Sequence, residues 1–269
     1  MKRLLIILSA IVLLAGCQKD APVDAPELTT MTYSVKAPVQ FFTKAGEGSK
    51  INILWCGVYH KKAEDNYVYM PDMSAFVEVT PGQDIKVPLT LIRNQYYKLV
   101  FVAQHRNNDN TKAYTYTYNI DYTTGDMALN APVTDGECLD VFVKVDAVGP
   151  IAGNENRDIT LDRPVAQINI STTAADKPSK IDIAVSGTAV SYNIFEETYS
   201  QATANPVSFT GLSCNGASLA TVYVLPAGNS VGLDMTMYYG AGSEAVTKTL
   251  QVQNVSVAPN YKTNVTGNI

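Results

Sequence analysis

Apolar residues recur at every second position along nearly the whole chain. Successive side chains of a β-strand point to opposite faces of the sheet, so this period is typical of strands with one buried face. It is clearest in two runs, Tyr97–Ala103 and Leu233–Tyr239. The run Ile51–Tyr59 is more continuously apolar, as a central strand of a sandwich should be. Beyond residue 16 no segment keeps a helical period over the roughly dozen residues that a stable helix needs, so we predict an all-β protein.

Turn-forming residues separate the apolar runs, and one stretch of them divides the chain. Residues 149–156, with the sequence GPIAGNEN, show no alternation. They leave about 130 residues of mature chain on one side and about 110 on the other, each within the usual size of a domain. Each part has enough predicted strands for its own sandwich. We therefore predict two β-sandwich domains in tandem, at residues 29–150 and 159–269.

The first 17 residues have the order of a bacterial lipoprotein signal. Two basic residues precede the apolar run Leu4–Leu14, which is shorter than the roughly 20 residues needed to cross a bilayer. Residues 14–17, LAGC, then match the lipobox, in which small residues fit the peptidase and the cysteine accepts a diacylglycerol. The alternative is an ordinary secretory signal with an incidental cysteine. We predict that residues 1–16 are a signal peptide, cut between Gly16 and Cys17, and that Cys17 carries the lipid.

Lipidation would attach the mature chain to a membrane without spanning it. One acyl chain binds only marginally, but the two or three chains of bacterial lipoproteins, such as palmitate, make attachment effectively permanent. Gln18-Lys19-Asp20 resembles the export signal of surface lipoproteins in the Bacteroidetes. Residues 17–28 continue as a Pro-rich tether. We expect an outer-membrane lipid anchor with the rest of the chain exposed at the cell surface.

The charge of the mature chain argues against two classes of partner. Loss of Lys2 and Arg3 with the signal peptide changes the formal net charge from −5 to −7. A negative chain is a poor partner for nucleic acid or for an anionic membrane surface. Three cysteines remain, Cys56, Cys138 and Cys214, which are odd in number and form no CxxC pair. We expect buried thiols, with one disulfide among them as the alternative.

No pattern in the sequence indicates catalysis or metal binding. The only two histidines, His60 and His105, each follow a strong predicted strand, so we expect them near one another at a sheet edge, without an acidic partner. Asn154, Asn156 and Asp158 have the spacing that begins a calcium loop, but the Gly and the closing Glu of such a loop are missing. We predict a loop of turn-forming residues there. The chain is expected to be no enzyme and to hold no metal and no cofactor.

A stripe of tyrosines has two interpretations. Tyr114, Tyr116, Tyr118 and Tyr122 alternate with smaller residues, and an aromatic face of this kind can stack sugars. A surface glycan-binding lipoprotein, with Trp55 joining the platform, is therefore the alternative function. The stripe can equally be the buried face of a strand, because tyrosine favours strands and can bring its hydroxyl to the rim. Trp55 lies within an apolar run, which favours the structural interpretation.

The second half contains three sequence segments whose order and spacing resemble those of a known protein family. They are Leu161–Ile170 (LDRPVAQINI), Tyr223–Pro226 (YVLP) and Asn260–Ile269 (NYKTNVTGNI). Together with the lipobox they resemble the fimbrillin family, the type V pilins of Bacteroidales, over most of residues 28–269 and best after residue 159. The resemblance implies two transthyretin-like β-sandwiches and a stalk, basal or accessory subunit of an outer-membrane fimbrium that takes part in adhesion. It implies other fimbrial subunits as partners, together with host or bacterial surface ligands.

By the same resemblance, the first strand decides assembly. Its apolar face fills a groove until proteolysis removes the strand and the next subunit supplies a replacement. In this chain the face consists of Met31, Tyr33, Val35 and Ala37. Three large side chains at about 1.5–3 kcal/mol each would contribute about 4–9 kcal/mol of burial. A whole domain is stable by only about 5–15 kcal/mol, so a domain without this strand would be barely folded.

The expected maturation site departs from the family. Stalk subunits of this type are cut by a trypsin-like protease, in the best-known systems after an arginine near the end of the first strand. No arginine lies between Cys17 and Arg93, so the candidates are Lys36, Lys44 and Lys50. The chain also ends soon after its last predicted strand. Either a lysine-cleaving protease acts, or the anchor stays and the subunit is basal or accessory.

Replacement of the lipobox cysteine tests the anchor. Without a thiol at residue 17 no diacylglycerol can be attached, so Cys17→Ala is expected to move the protein from the membrane fraction to the soluble fraction. Detergent phase partitioning with immunoblotting measures this. A variant that partitions as the wild type does would contradict lipidation at Cys17.

Overall fold

The computed structural model describes residues 26–36, 50–64, 66–80, 83–107, 115–129, 140–240 and 246–268. These residues form β-strands and one turn of 3-10 helix, Pro71–Met73, so the prediction of an all-β fold is confirmed. None of the helical structure in these ranges is long and apolar enough to cross a bilayer. The run Leu4–Leu14 lies outside the described residues.

Twelve strands precede residue 161 and nine follow it within the described ranges. The first set is β1 (Leu28–Lys36), β2 (Ile53–Ala63), β3 (Asn66–Tyr69), β4 (Ala75–Glu78), β5 (Ile85–Ile92), β6 (Tyr97–Gln104), β7 (Arg106–Asn107), β8 (Thr115–Tyr116), β9 (Tyr118–Ile120), β10 (Asp126–Leu129), β11 (Val141–Val148) and β12 (Glu155–Thr160). The second set is β13 (Ala166–Thr172), β14 (Lys180–Ser186), β15 (Ser191–Asn193), β16 (Thr198–Tyr199), β17 (Val207–Ser213), β18 (Ser218–Val224), β19 (Ser230–Tyr239), β20 (Val246–Ser256) and β21 (Lys262–Gly267).

The first half of the chain is a sandwich of two sheets. One sheet has the strand order β12-β1-β5, and the other has the order β11-β6-β2-β3, with β4 also paired to β2. The alternating side chains of β1 and β5 meet the facing side of β2, β6 and β11. The largest side chains of the core between the sheets are Met31, Tyr33, Leu54, Leu89, Leu91, Tyr97, Phe101 and Phe142.

Strand β2 is buried on both faces, and this explains its continuously apolar sequence. Eight successive residues, Ile53–His60, are buried. Cys56 and Val58 face the first sheet, whereas Trp55 and Tyr59 point the other way, into the core that contains the second half of the chain. The central position predicted for this strand is therefore observed.

The second half is also a sandwich. Its sheets have the orders β18-β13-β21 and β17-β14-β19-β20, and β21 runs parallel to β13. Strand β13 begins in the phrase Leu161–Ile170, and β21 falls within Asn260–Ile269. The core between these sheets is lined by Ile168, Ile170, Ile181, Ile183, Phe209, Val222, Leu233, Met235 and Met237.

The two halves share structure that the sequence did not indicate. Strands β9 and β10 from the first half and β15 and β16 from the second form one four-stranded sheet. Tyr59 and Phe195 meet edge to face, with 4.8 Å between their ring centroids. The backbones of Val143 and Asp162 exchange two hydrogen bonds of 2.8 Å. The halves are therefore joined by pairing and packing as well as by the chain itself.

The prediction of a loop around residues 154–158 is wrong. Residues from Glu155 to Thr160 form β12, which pairs in parallel with β1 and reaches into the predicted second domain. Its sequence, ENRDIT, carries charge on an edge strand, which protects an open edge from pairing with other chains. A polar edge strand lacks the apolar alternation by which sequence reveals a strand. Side chains two apart on a strand lie about 7 Å apart, too far for Asn154, Asn156 and Asp158 to surround one calcium ion.

A buried ion pair lies where the two halves meet. Arg163 Nε and Nη2 donate to the two carboxylate oxygens of Asp140 at 2.7 and 2.8 Å, and both side chains are at most 2% exposed. The guanidinium carbon also lies 4.5 Å from the Phe142 ring centroid. Burial raises the pKa of Asp140 to about 6, and the Arg163 charge opposes that rise. The carboxylate is therefore ionised at pH 7 and holds the chain just before β13.

Breaking this pair is expected to be costly. Arg163→Met leaves a buried carboxylate without its partner, which should lower the free energy of unfolding by about 3–5 kcal/mol at pH 7. Without the arginine the pKa of Asp140 rises further above its unfolded value, so the folded state binds an extra proton as the pH falls. The stability gap to wild type should thus narrow between pH 7 and pH 5. Urea unfolding of both proteins at both pH values measures the difference in free energy of unfolding. A difference that stays constant or grows toward pH 5 would contradict the pairing of Asp140 with Arg163.

Candidate functional site

Strand β1 occupies the centre of its sheet. On one side it pairs in parallel with β12, from Met31 opposite Glu155 to Lys36 opposite Thr160. On the other side it pairs antiparallel with β5, from Leu28 opposite Ile92 onwards. A strand bonded on both sides fills a slot between two neighbours, and its removal would leave two unpaired edges.

The apolar face predicted for the first strand lies in the core. Met31, Tyr33 and Val35 are 0% exposed, and the Tyr33 ring lies 4.9 Å from that of Phe101 between centroids. Ala37, the fourth predicted member of this face, lies outside the described residues. Burial of these three side chains ties β1 to the opposite sheet across the sandwich.

Tyr33 also makes the one strong polar contact of this face among the described residues. Its hydroxyl donates to Asp146 Oδ2 at 2.6 Å, and Arg157 Nη1 donates to the same oxygen at 3.3 Å. Arg157 Nε also donates to Glu155 at 2.7 Å. Burial and then the hydrogen bond to Asp146 raise the pKa of Tyr33 far above its usual range, so the hydroxyl stays a donor. The contact links β1, β11 and β12 at one point.

Polar contacts hold both ends of β1. At its start, Asn154 Oδ1 accepts hydrogen bonds of 2.9 Å from the Thr29 hydroxyl and from the Thr30 amide. At its end, the carbonyl of Lys36 accepts from the amide of Leu161 at 3.0 Å. Asn154 belongs to the stretch considered as a calcium loop, and its oxygen instead caps the pairing of β1 with β12.

The three candidate cleavage residues differ in setting. Lys36 is exposed, but it is the last residue of β1, and its carbonyl is hydrogen-bonded. Lys50 lies in an exposed turn before β2, and its carbonyl accepts from His105 Nδ1 at 2.7 Å. Lys44 lies outside the described residues, as do Gly16 and Cys17. A protease needs a segment that can leave its strand ladder, which makes Lys36 a poorer site than Lys50 while β1 is in place.

The described part of the tyrosine stripe is structural. Tyr118 is 2% exposed, and Tyr122 is half-buried, 4.8 Å from Trp55 and 5.1 Å from Tyr69 between ring centroids. Tyr114 and the side chain of Tyr116 lie outside the described part of the chain. Trp55 itself is 2% exposed, as its apolar run indicates. These rings form the packing between the halves and present no open aromatic platform.

The predicted proximity of the two histidines is wrong. His60 pairs with Tyr97 at one end of the β2–β6 ladder, whereas His105 follows Gln104 at the other end, about 20 Å away. Two of the predicted buried thiols are described: Cys56 is buried, Cys214 is half-buried, and both are free. Burial raises the pKa of each thiol. Cys138 lies outside the described residues.

No metal-binding cluster is present in the described ranges. Nowhere in them do three His, Cys, Asp or Glu side chains come together as a metal site would require. The sequence did not identify Asp146, which accepts hydrogen bonds from Tyr33 of β1 and from Arg157. It also did not identify Asp140, which forms the ion pair with Arg163. The available signal was charge inside apolar strands: Asp146 interrupts the alternating run VFVKVDAV of β11.

A family model now adds to this geometry. The model described as "Family of unknown function (DUF6562)" matches residues 26–269. The chain belongs to this family. A second model, for the prokaryotic membrane lipoprotein lipid attachment site, matches residues 1–18, so the DUF6562 region follows a lipoprotein signal that includes Cys17. No family-level match to the fimbrillins was found, and of that expectation the comparisons support the lipoprotein signal. No curated protein matches the chain.

Solved structures share the fold of this DUF6562 member. A candidate polysaccharide-binding protein (DUF1812) from Bacteroides thetaiotaomicron is 11% identical, with a TM-score of 0.54 over 78% of this chain and 76% of its own. A candidate cell adhesion protein from Bacteroides fragilis is 12% identical, with a TM-score of 0.52 over 88% of this chain and 92% of its own. At such identities the likeness extends to the fold alone.

The contribution of Tyr33 to the seating of β1 can be measured. Tyr33→Ala should lower the free energy of unfolding by about 3–5 kcal/mol, as for other buried aromatic residues. Tyr33→Phe keeps the ring and loses a hydrogen bond to a charged group, so a loss of about 1.5–3 kcal/mol is expected. Thr30→Ala, on the exposed face of the same strand, is the control and should change stability by at most about 0.5 kcal/mol. The expected loss of stability is largest for Tyr33→Ala, smaller for Tyr33→Phe and smallest for Thr30→Ala. A different order in urea unfolding would contradict the role of Tyr33 in holding β1 against the core.

Proposed function

We propose that the chain is a lipid-anchored, outer-membrane structural subunit of a surface fimbrium, assembled by donor-strand exchange and acting in adhesion. The role is structural and not enzymatic. The proposal rests on the position of β1, the first described strand after the lipid site, at the centre of a three-stranded sheet. Its partners would be other fimbrial subunits and host or bacterial surface ligands.

The energetics of β1 fit a replaceable strand. Three side chains at 0% exposure contribute about 4–9 kcal/mol of burial, a large share of the stability of a domain. Removal of β1 would uncover the apolar side chains of β5 and the opposite sheet and leave β5 and β12 unpaired. A strand from another subunit would then recover both the burial and the hydrogen bonds, which is strand addition of the kind used in pilus assembly.

The names of the two fold relatives support a surface role. One is a candidate cell adhesion protein and the other a candidate polysaccharide-binding protein. The lipid attachment site supports a membrane-anchored protein. The alternative function, a glycan-binding lipoprotein with a flat aromatic platform, has less support, because Trp55 and Tyr118 are buried.

Limited proteolysis tests the assembly step. Trypsin added to the full chain, purified in detergent, is expected to cut after Lys44 or Lys50 before Lys36, because Lys36 is held in the backbone ladder of β1 and β12 whereas Lys50 lies in an exposed turn. The cut product should lose β1 and polymerise, giving a ladder on electrophoresis without boiling. Mass spectrometry identifies the cleaved bond. A cut product that stays monomeric and fully stable would rule out strand exchange, and resistance of both lysines would favour a basal subunit that keeps its anchor.

A disulfide supplies the matched control. Thr30 and Thr90 are exposed and directly opposite each other on β1 and β5. The neighbouring hydrogen bond from Arg93 N to Glu27 O makes Thr30–Thr90 a non-hydrogen-bonded pair, with Cα atoms about 4.5 Å apart, within reach of a disulfide. With Thr30→Cys and Thr90→Cys, the oxidised protein should be cut but not polymerise, and reductant should restore polymerisation. Equal polymerisation of both forms would contradict the release of β1.

A further inference from the structure

The slot that β1 fills has two walls of different chemistry. On the β5 side, the residues opposite the apolar face of β1 are aliphatic and themselves buried: Ile85, Val87 and Leu89. On the β12 side, the residues opposite Met31 and Tyr33 are charged: Glu155 and Arg157. An aliphatic wall accepts most apolar side chains of suitable volume. The β5 side therefore distinguishes poorly between one alternating strand and another.

Alternation alone leaves the register of a strand in this slot open. A shift by one residue turns the apolar face away from the core and is excluded. A shift by two residues keeps that face buried and both neighbours paired, because side chains repeat their direction at every second residue. A further contact is therefore needed to fix which residue of an incoming strand takes the place of Tyr33, between Val87 and Arg157.

The carboxylate of Asp146 supplies such a contact. It belongs to β11 in the facing sheet, so the backbone of that sheet positions it independently of β1. Its side chain is 27% exposed and lies at the rim of the core. The Tyr33 hydroxyl donates to it at 2.6 Å, while the Tyr33 ring packs 4.9 Å from that of Phe101 between centroids. One side chain thus fills the space beside Phe101 and also reaches the charge.

Other side chains at the Tyr33 position would meet only part of this requirement. A phenyl ring would pack against Phe101 but would exclude water from the Asp146 carboxylate without replacing the hydrogen bond, which is costly. An aliphatic side chain would in addition leave a cavity beside Phe101. Arg157 donates to the same carboxylate oxygen at 3.3 Å and does not replace the shorter bond from the hydroxyl.

We propose that the β1 slot selects a donor strand with a tyrosine between two large apolar residues, in the pattern apolar-x-Tyr-x-apolar, and that Asp146 fixes its register by accepting from the tyrosine hydroxyl. This inference rests on the proposed function, since it names the partner of the slot that strand exchange opens. The partner is a strand of another subunit with this pattern. A donor shifted by two residues places an apolar side chain against Asp146 and loses the hydrogen bond.

Synthetic strands that compete for the slot test this selection. A peptide with the sequence of Leu28–Lys36, LTTMTYSVK, has no internal trypsin site, because its only lysine is its last residue. The full chain in detergent is cut with trypsin in the presence of each peptide, and electrophoresis without boiling gives the concentration that halves the ladder. The peptide with Tyr33→Phe should require about ten- to hundredfold more, the loss expected for a hydrogen bond to a charged group. The peptide with Thr30→Ala, changed on the exposed face, is the matched control and should act as the unchanged one does.

A variant of the chain assigns the preference to Asp146. In Asp146→Ala the carboxylate is absent, so the tyrosine and phenylalanine peptides should be equally potent. A preference that persists in this variant overturns the role of Asp146. Equal potency of the two peptides against the wild-type chain overturns the selection of tyrosine and leaves strand exchange intact. If the wild-type chain forms no ladder without peptide, or forms one that no peptide reduces, both the selection and strand exchange at this slot are overturned.

Discussion

Both faces of the sheet formed by β2, β6 and β11 are buried, and the main layers of the molecule pack on one face or the other. On one side lies the sheet that holds β1 at its centre. On the other lie the shared sheet of β9, β10, β15 and β16 and the core of the second half. A sheet covered on both sides cannot shift without disturbing two cores, because packed interiors have little free volume. It therefore gives β1 a rigid support.

Long, apolar strands were predictable from sequence, and short or polar ones were not. The runs that became β1, β2, β6 and β19 carry enough residues for a period to be recognised. The four strands of the shared sheet have only two to four residues each, too few to show any period. Strand β12 is hidden because its charged sequence suits an edge. The short strands of the shared sheet and the polar strand β12 both join distant parts of the chain. Such contacts produce no local pattern in the sequence.

The candidate sites show the same division. The apolar face of β1 follows from alternation, and three of its residues lie in the core. The ion pair of Asp140 and Arg163 is not predictable, because charged residues are mostly exposed and nothing in the sequence matches the two across 23 positions.

The position of β1 between the tether and the core has a mechanical consequence. A pull from a membrane anchor that precedes β1 in the sequence reaches this strand at Leu28, and its component along the strand axis acts on the whole strand. The hydrogen bonds of a β-ladder stand roughly across that axis, so such a pull loads the bonds to β5 and β12 together, in shear, and does not peel them one by one. A strand with three fully buried side chains is thus also the one through which a tensile load from the cell envelope would pass.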